Sequence, residues 1–282
     1  MAAPVDVVGE LLRRINDGRW TELADLYAED VLVEHPLRRT RVEGRRTLAE
    51  RFARLGGAMR AFDVVVHETV DPEVVVAEYQ YEGPGFVAAN VQVVRVRDGL
   101  ITHSRDYHDH LRMAAARGDV SGIAVPYAPS PAGHPPAAAP EGTPRAVVHR
   151  LLDSIAWEDA ASRADLYADD VLVTRPFHPT APALTSKDEL RQHFAPGRGV
   201  GLRTRNIVFH EGVDPELVVA EFEYVGTVAG NPVRTTNVYV TRVRDGLIVE
   251  SRDYGDHVSF AAAAGRLPDL IAAARSVVAP AV

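Results

Sequence analysis

The feature that most constrains this chain is that one pattern is written in it twice. Asp25-Leu-Tyr-Ala-Glu-Asp-Val-Leu-Val33 recurs as Asp165-Leu-Tyr-Ala-Asp-Asp-Val-Leu-Val173, the stretch from His67 to Glu78 recurs from His210 to Glu221, and Arg95-Val-Arg-Asp-Gly-Leu-Ile101 recurs from Arg242 to Ile248. The offset between matched segments drifts by only seven residues, which places the insertions in loops. A chain of 282 residues suits two ordinary domains, each long enough to bury its own core. We therefore divide it into a first copy over 1–123, a Pro/Ala-rich linker over 124–143, and a second copy over 144–282 that ends in a helical tail. The linker has too much proline and too little apolar periodicity to fold alone and reads as a semi-extended tether.

Within each copy the hydrophobic period changes from helical to extended. Val7, Val8, Leu11, Leu12 and Ile15 carry helical spacing, Asn16-Asp17-Gly18 breaks it, and Leu23, Leu26 and Tyr27 suggest a second helix. A strand at Val31-Leu-Val33 ends at Pro36, and Thr47-Leu48-Arg51-Phe52 opens a further helix. Ser186-Lys-Asp-Glu189 has capping-box spacing at the matching place in the second copy. Four β segments follow near 62–69, 73–82, 87–97 and 100–108, with Asp71-Pro72 and Asp98-Gly99 as turns. This order predicts an α+β fold of two cone-shaped domains, each a curved antiparallel sheet wrapped around N-terminal helices.

Composition narrows the function. Carboxylates outnumber basic residues 39 to 31, which argues against a nucleic-acid surface. Cysteine is absent, so disulfides and thiolate chemistry are excluded, and Lys187 is the only amine candidate for a Schiff base. With no signal-like start and no membrane-length apolar run, the expectation is a soluble, unprocessed, cytoplasmic protein, without membrane or nucleic-acid partners.

Leu26-Tyr-Ala-Glu-Asp-Val-Leu-Val-Glu-His-Pro36 and Asp98-Gly-Leu-Ile-Thr-His-Ser-Arg-Asp-Tyr-His-Asp109, with their repeats at Leu166 to Pro176 and Asp245 to Asp256, resemble the SnoaL-like branch of the nuclear transport factor 2-like superfamily. The superfamily includes ketosteroid isomerases, polyketide cyclases, limonene-type and polyether epoxide hydrolases, and proteins with no known activity; its folds commonly pair through the open sheet face, so the resemblance implies two domains packed as an intramolecular pseudo-dimer. The resemblance implies cofactor-free acid/base chemistry (cyclisation, isomerisation or epoxide opening) on a polyketide-type or other secondary-metabolite molecule. The alternative is a non-catalytic small-molecule-binding or assembly protein with the same fold.

Alternation puts Ser104, Asp106 and His108 on one strand face, and the resemblance selects Asp106 and Asp253 as carboxyls that point into a pocket. His35 stands where relatives carry the Asp of a Val-x-Asp-Pro motif, and imidazole can take a proton near neutrality. The first copy's expected catalytic set is Asp106, His35 and His108, with Asn90 or Gln92 donating to a developing oxyanion. Tyr79, Tyr81 and Trp20 are expected as its binding wall. In the second copy Asp253 is the catalytic candidate, with Asn237, Tyr239, Tyr224 and Arg175 for binding; Arg175 replaces His35 and Gly255 replaces His108. That pocket is expected to be roomier and less equipped. The ketosteroid isomerase tyrosine aligns with Leu11 and Leu151, and its partner Asp with Gln92 and Tyr239, so isomerisation by that mechanism is not expected. The Arg-x-Asp pair of limonene-type hydrolases is replaced by Tyr79-Gln-Tyr81 and Phe222-Glu-Tyr224. His108-Asp109-His110, near His103, has a spacing that can bring two imidazoles to a metal, but the second copy keeps only His257, and neither metal nor cofactor is expected. His67 and His210, shared by both copies, are assigned to the fold.

Overall fold

The computed structural model describes residues 2–55, 59–131, 133, 136, 138–156, 160–195 and 201–278. The chain divides into two compact units, one of Met1–Ile123 together with Ala274–Val282, the other of Ala124–Ala273. No described helix is long and apolar enough to cross a membrane.

In the first unit, helix α1 (Pro4–Asn16) buries Val7, Val8, Leu11, Leu12 and Ile15, the i, i+3/i+4 stripe its sequence predicts. Each such side chain contributes roughly 1.5–3 kcal/mol when removed from water. The expected second helix is a 3₁₀ segment, Trp20–Leu26, and Tyr27 already belongs to strand β1 (Tyr27–His35). Its turn is short because the buried residues Trp20, Leu23, Ala24 and Leu26 crowd one face within seven residues, a spacing nearer three than 3.6. A short strand β2 (Thr40–Glu43), which the hydrophobic pattern does not predict, precedes α2 (Arg45–Leu55). The meander then runs through β3 (Arg60–Glu68), β4 (Val74–Gly83), β5 (Phe86–Arg97) and β6 (Leu100–His108), and α3 (His110–Ala116) follows. Asp98 and Gly99, with φ of 52° and 79°, make the left-handed two-residue hairpin that joins β5 to β6.

The second unit repeats this order as α4 (Pro144–Asp153), a 3₁₀ segment Ala160–Leu166, β7 (Tyr167–Thr174), α5 (Lys187–Phe194), β8 (Leu202–Glu211), β9 (Leu217–Val228), β10 (Asn231–Arg244), β11 (Leu247–Tyr254) and α6 (His257–Ala263). Helix α7 (Leu267–Val277) closes the described chain. Ser186 caps α5 by accepting from Glu189 N at 3.3 Å, but the Glu189 carboxylate reaches Thr185 N at 2.6 Å, one residue earlier than a capping box requires.

Both sheets are α+β cones as the pattern implies, with one refinement. The meanders are antiparallel, but β1 lies beside β6 in parallel, giving the order β2-β1-β6-β5-β4-β3, and β7 lies parallel to β11. The sheets are therefore mixed, because the helical crossover from β1 through α2 carries the chain to the far edge at β3, and the meander then returns to end at β6, beside β1 and parallel to it. The linker is not a free tether throughout: Ser130 donates to Glu223 and accepts from Asn206 Nδ2 at 2.9 Å, and Arg234 holds Pro129 O at 3.1 Å.

Candidate active site

Strand alternation builds the first copy's site. Val31, Val33 and His35 are buried at alternate positions of β1, so His35 lies on the core face of its strand. The parallel register that sets Glu34 beside Arg105 carries His35 to the level of Asp106. On the neighbouring antiparallel ladder Asn90 faces His108 and Gln92 faces Asp106. The structure thus assembles His35, Asp106 and His108, with one ligating atom of each lying within 4.8 Å of the others. The rings of His35 and His108 are 5.6 Å apart, and His108 also stands 6.0 Å from Tyr81 and 5.4 Å from His110.

A hydrogen-bonded chain crosses this face. The Tyr81 and Tyr79 hydroxyls are 3.3 Å apart, Tyr79 donates to Gln92 Oε1 at 3.3 Å, Gln92 Nε2 donates to Ser104 Oγ at 2.9 Å, and Ser104 donates to Asp106. Gln92 is thereby committed on both sides of its amide. Asn90, fully buried, has neither amide atom partnered, so of the two expected oxyanion donors it is the one whose amide is wholly uncommitted. Burial lowers His35 and pushes His108 down to about 3, so both imidazoles are neutral at ordinary pH. Trp20 lies within the first copy's hydrophobic core, with Nε1 buried and unpartnered.

The second copy encloses a cavity of about 470 Å³. Arg175, Tyr224, Asn237, Tyr239 and Asp253, all expected there from sequence, line it, together with apolar groups such as Leu151, Leu184 and Phe260. Tyr239 and Asp253 are direct partners across β10 and β11, which brings their side chains side by side on one face. Burial pushes the Asp253 carboxyl up to about 6, against the opposing pull of a hydrogen bond from Ser251 and the charge of Arg175. The Tyr239 and Tyr224 hydroxyls are 3.3 Å apart, and burial raises Tyr224 to about 12. In the first copy the matching phenol pair comes from Tyr79 and Tyr81; in the second, Phe222 replaces Tyr79 and Tyr239 replaces Gln92. The hydroxyl beside Tyr224 is therefore supplied from the next strand.

Asn237, unlike Asn90, is partnered on both sides of its amide: Nδ2 donates to Thr235 Oγ1 at 3.0 Å and Oδ1 accepts from Asp256 N at 3.2 Å. The first copy has Ala88 in place of Thr235, and Asp109 N goes to Ala89 O at 3.1 Å instead. His257 lies against Gly255, whose added Cβ would meet its Cε1 and Nε2 at 3.4 Å, and His257 stands 4.9 Å from His178. Burial lowers His257 to about 3.

Sequence reasoning missed Arg163. It is 3% exposed, lines the cavity, and donates to Ser154 O at 2.8 Å and Ile155 O at 3.1 Å. Superposing the two copies residue by residue carries the signal, because Arg163 falls on the core position of Leu23: a cation at an apolar site needs a reason. His67 and His210, assigned to the fold, each pair with a buried carboxylate, Glu78 at 2.6 Å and Glu221 at 2.7 Å.

Each copy is thus a helix-filled cone whose sheet presents a carboxyl and phenols inward, the architecture of a small-molecule pocket. The SnoaL-like domain model matches residues 8–104 and 148–251, and the chain belongs to that family. An uncharacterized PhzA/B-like protein of Pseudomonas aeruginosa is 28% identical over 131 residues, 42% of this chain and 93% of that protein. Among solved structures, a phenazine biosynthesis-related protein from P. aeruginosa is similar at 18% identity and a TM-score of 0.37, covering 43% of this chain and 84% of its own. A candidate polyketide cyclase from Xanthomonas campestris pv. campestris is similar at 24% identity and a TM-score of 0.34, covering 36% and 87%.

Proposed function

We propose that the chain is an acid/base catalyst that moves a proton on an enolisable carbonyl compound, with the second copy's cavity as its reaction chamber. The observation that carries this reading is Asp253: a carboxyl raised to about 6 inside a cavity of about 470 Å³, beside a phenol pair. At pH 7 a group of that pKa is roughly nine-tenths ionised yet a far stronger base than an exposed carboxylate. Asp253 takes the proton from the carbon next to the carbonyl, and the electron pair moves onto the carbonyl oxygen. The hydroxyls of Tyr239 or Tyr224 donate to that developing enolate. Protonated Asp253 then returns the proton to another carbon of the same molecule, which is an isomerisation, or the enolate carbon attacks a second carbonyl within it, whose π electrons move onto its oxygen and take up the proton from Asp253, which closes a ring as an alcohol. Arg163 and Arg175 add positive charge to the chamber, favouring the anionic intermediate over the neutral ground state. Membership of the SnoaL-like family supports a polyketide-type molecule, and a cavity of this volume suits a compound of about two to three fused rings.

The test is exchange of the acidic C–H of fused-ring 1,3-diketones in D₂O, followed by NMR. The intact chain is expected to accelerate exchange, and Asp253→Asn to lose that acceleration. Equal exchange rates with and without protein across the panel, at concentrations where the diketones bind, would leave a binding protein rather than a catalyst.

A further inference from the structure

We propose that the first copy holds one divalent transition-metal ion between His35, Asp106 and His108, a site with no counterpart in the second copy. The geometric ground is the convergence of these three side chains, one ligating atom of each within 4.8 Å of the other two. Tetrahedral bonds of about 2.0–2.1 Å place ligand atoms about 3.3 Å apart. Closing the set needs at most an ångström or two of side-chain rotation.

A second observation points to a missing partner. His35 Nδ1 and His108 Nδ1 are both buried with no hydrogen-bond partner, and His35 is 6% exposed. Buried polar atoms are nearly always satisfied, so two orphan imidazole nitrogens in the same cluster as the Asp106 carboxylate mark a place where something binds. The surroundings support the ligands as metal sites require: Ser104 donates to the Asp106 carboxylate, and the main chain of Asp106 hydrogen-bonds the His35 ring.

Two imidazoles and one carboxylate select zinc or ferrous iron over calcium or magnesium, and three protein ligands leave positions open for water or an oxygen-bearing ligand. Asn90, directly across the ladder from His108 with both amide atoms unpartnered, is the group placed to hold what occupies an open position. Sequence spacing gives no sign of a metal at this set, because its members lie on β1 and β6 and only the parallel register joins them. The alternation His108-Asp109-His110 is a different pair, and His110 does not belong to the cluster.

The test uses the full chain without a polyhistidine tag, stripped with a chelator, titrated with Zn²⁺ by calorimetry and with Co²⁺ by visible absorption. The expected result is one tight ion per chain and Co²⁺ bands of a low-coordinate nitrogen/oxygen site. His108→Gly and His35→Arg, which install the second copy's residues, are expected to weaken binding by more than 100-fold. Ser104→Ala should weaken it by about 10–100-fold, the usual cost of losing an outer partner. Asp253→Asn should leave binding unchanged. No stoichiometric ion on the wild-type chain overturns the proposal. So does binding that survives Asp106→Asn and His108→Gly, which would locate the ion on a pair such as His67–Glu78. Circular dichroism of the metal-free variants identifies any that misfold; the wild-type titration decides the question without them.

Discussion

The two copies share a backbone and differ in what they leave unsatisfied. In the second, Asn237 is tied by Thr235 and the Asp256 main chain, and the interior is left open as a cavity. In the first, Ala88 replaces Thr235, Asn90 has no partner, and three histidines, His35, His108 and His110, gather on the same side. Duplication allowed one carboxyl, Asp106 or Asp253, to be kept on the same strand while its neighbours were exchanged. Keeping the acid therefore does not keep its surroundings. On the two proposals above, the carboxyl beside imidazoles serves as a metal ligand, and the one beside phenols and arginines as a base for carbanion chemistry.

The comparison can be broken most decisively at the carboxyls. Asp253→Asn is expected to lower diketone exchange by roughly 10²–10⁴, the usual contribution of a positioned base, and Asp106→Asn by less than about threefold. Equal losses in the two variants would erase the functional asymmetry. For the wild-type chain kcat/KM is expected to rise with pH through an inflection near 6, where Asp253 ionises, and the inflection should vanish in the Asn variant.

Stability offers the next largest effect, and its sign follows from the same shift. Asp253 is raised from 3.8 to about 6 on folding, so between these values the folded chain holds a proton that the unfolded chain has lost. Stability therefore falls as pH rises from about 4 to 6, and the cost stays in full above that. Asp253→Asn removes the cost: denaturant titration should show it more stable than wild type by roughly 1–3 kcal/mol at about pH 7.5, with the difference shrinking towards about pH 4. A difference that does not change with pH would mean that Asp253 titrates alike in the folded and unfolded chain.

Smaller effects sharpen the contrast between the two asparagines. Thr235→Ala makes the second copy resemble the first and should cost about 0.5–1.5 kcal/mol by leaving Asn237 Nδ2 unpartnered. Asn90→Leu, by contrast, should be nearly neutral or stabilising in the metal-free chain, because Asn90 makes no hydrogen bond to lose. Ser186→Ala, which removes the α5 cap, is expected to cost about 1 kcal/mol. Thermal or chemical unfolding checks all three.

Much of this was legible in the sequence. The repeat, the helix-to-meander order and the Asp-Gly hairpins follow from local pattern, because a hydrophobic period and a left-handed turn are properties of neighbouring residues. Strand alternation was enough to put Tyr239 and Asp253 on one face, and family resemblance was enough to aim it inward. The 3₁₀ form of Trp20–Leu26 and the strand Thr40–Glu43 were not legible, since both depend on what they pack against. Arg163 could have been found by asking why a cation sits where the first copy has Leu23.

The sequence by itself determined that there are two copies, what they are made of, and which positions diverged between them. Only the tertiary structure decided how closely the diverged and the retained groups meet. His35 and Asp106 lie 71 positions apart and come together because β1 pairs in parallel with β6, a register that no local pattern encodes. The pKa of Asp253 likewise belongs to no segment: it is set by how much water the folded cone excludes around it, and that is a property of the whole domain.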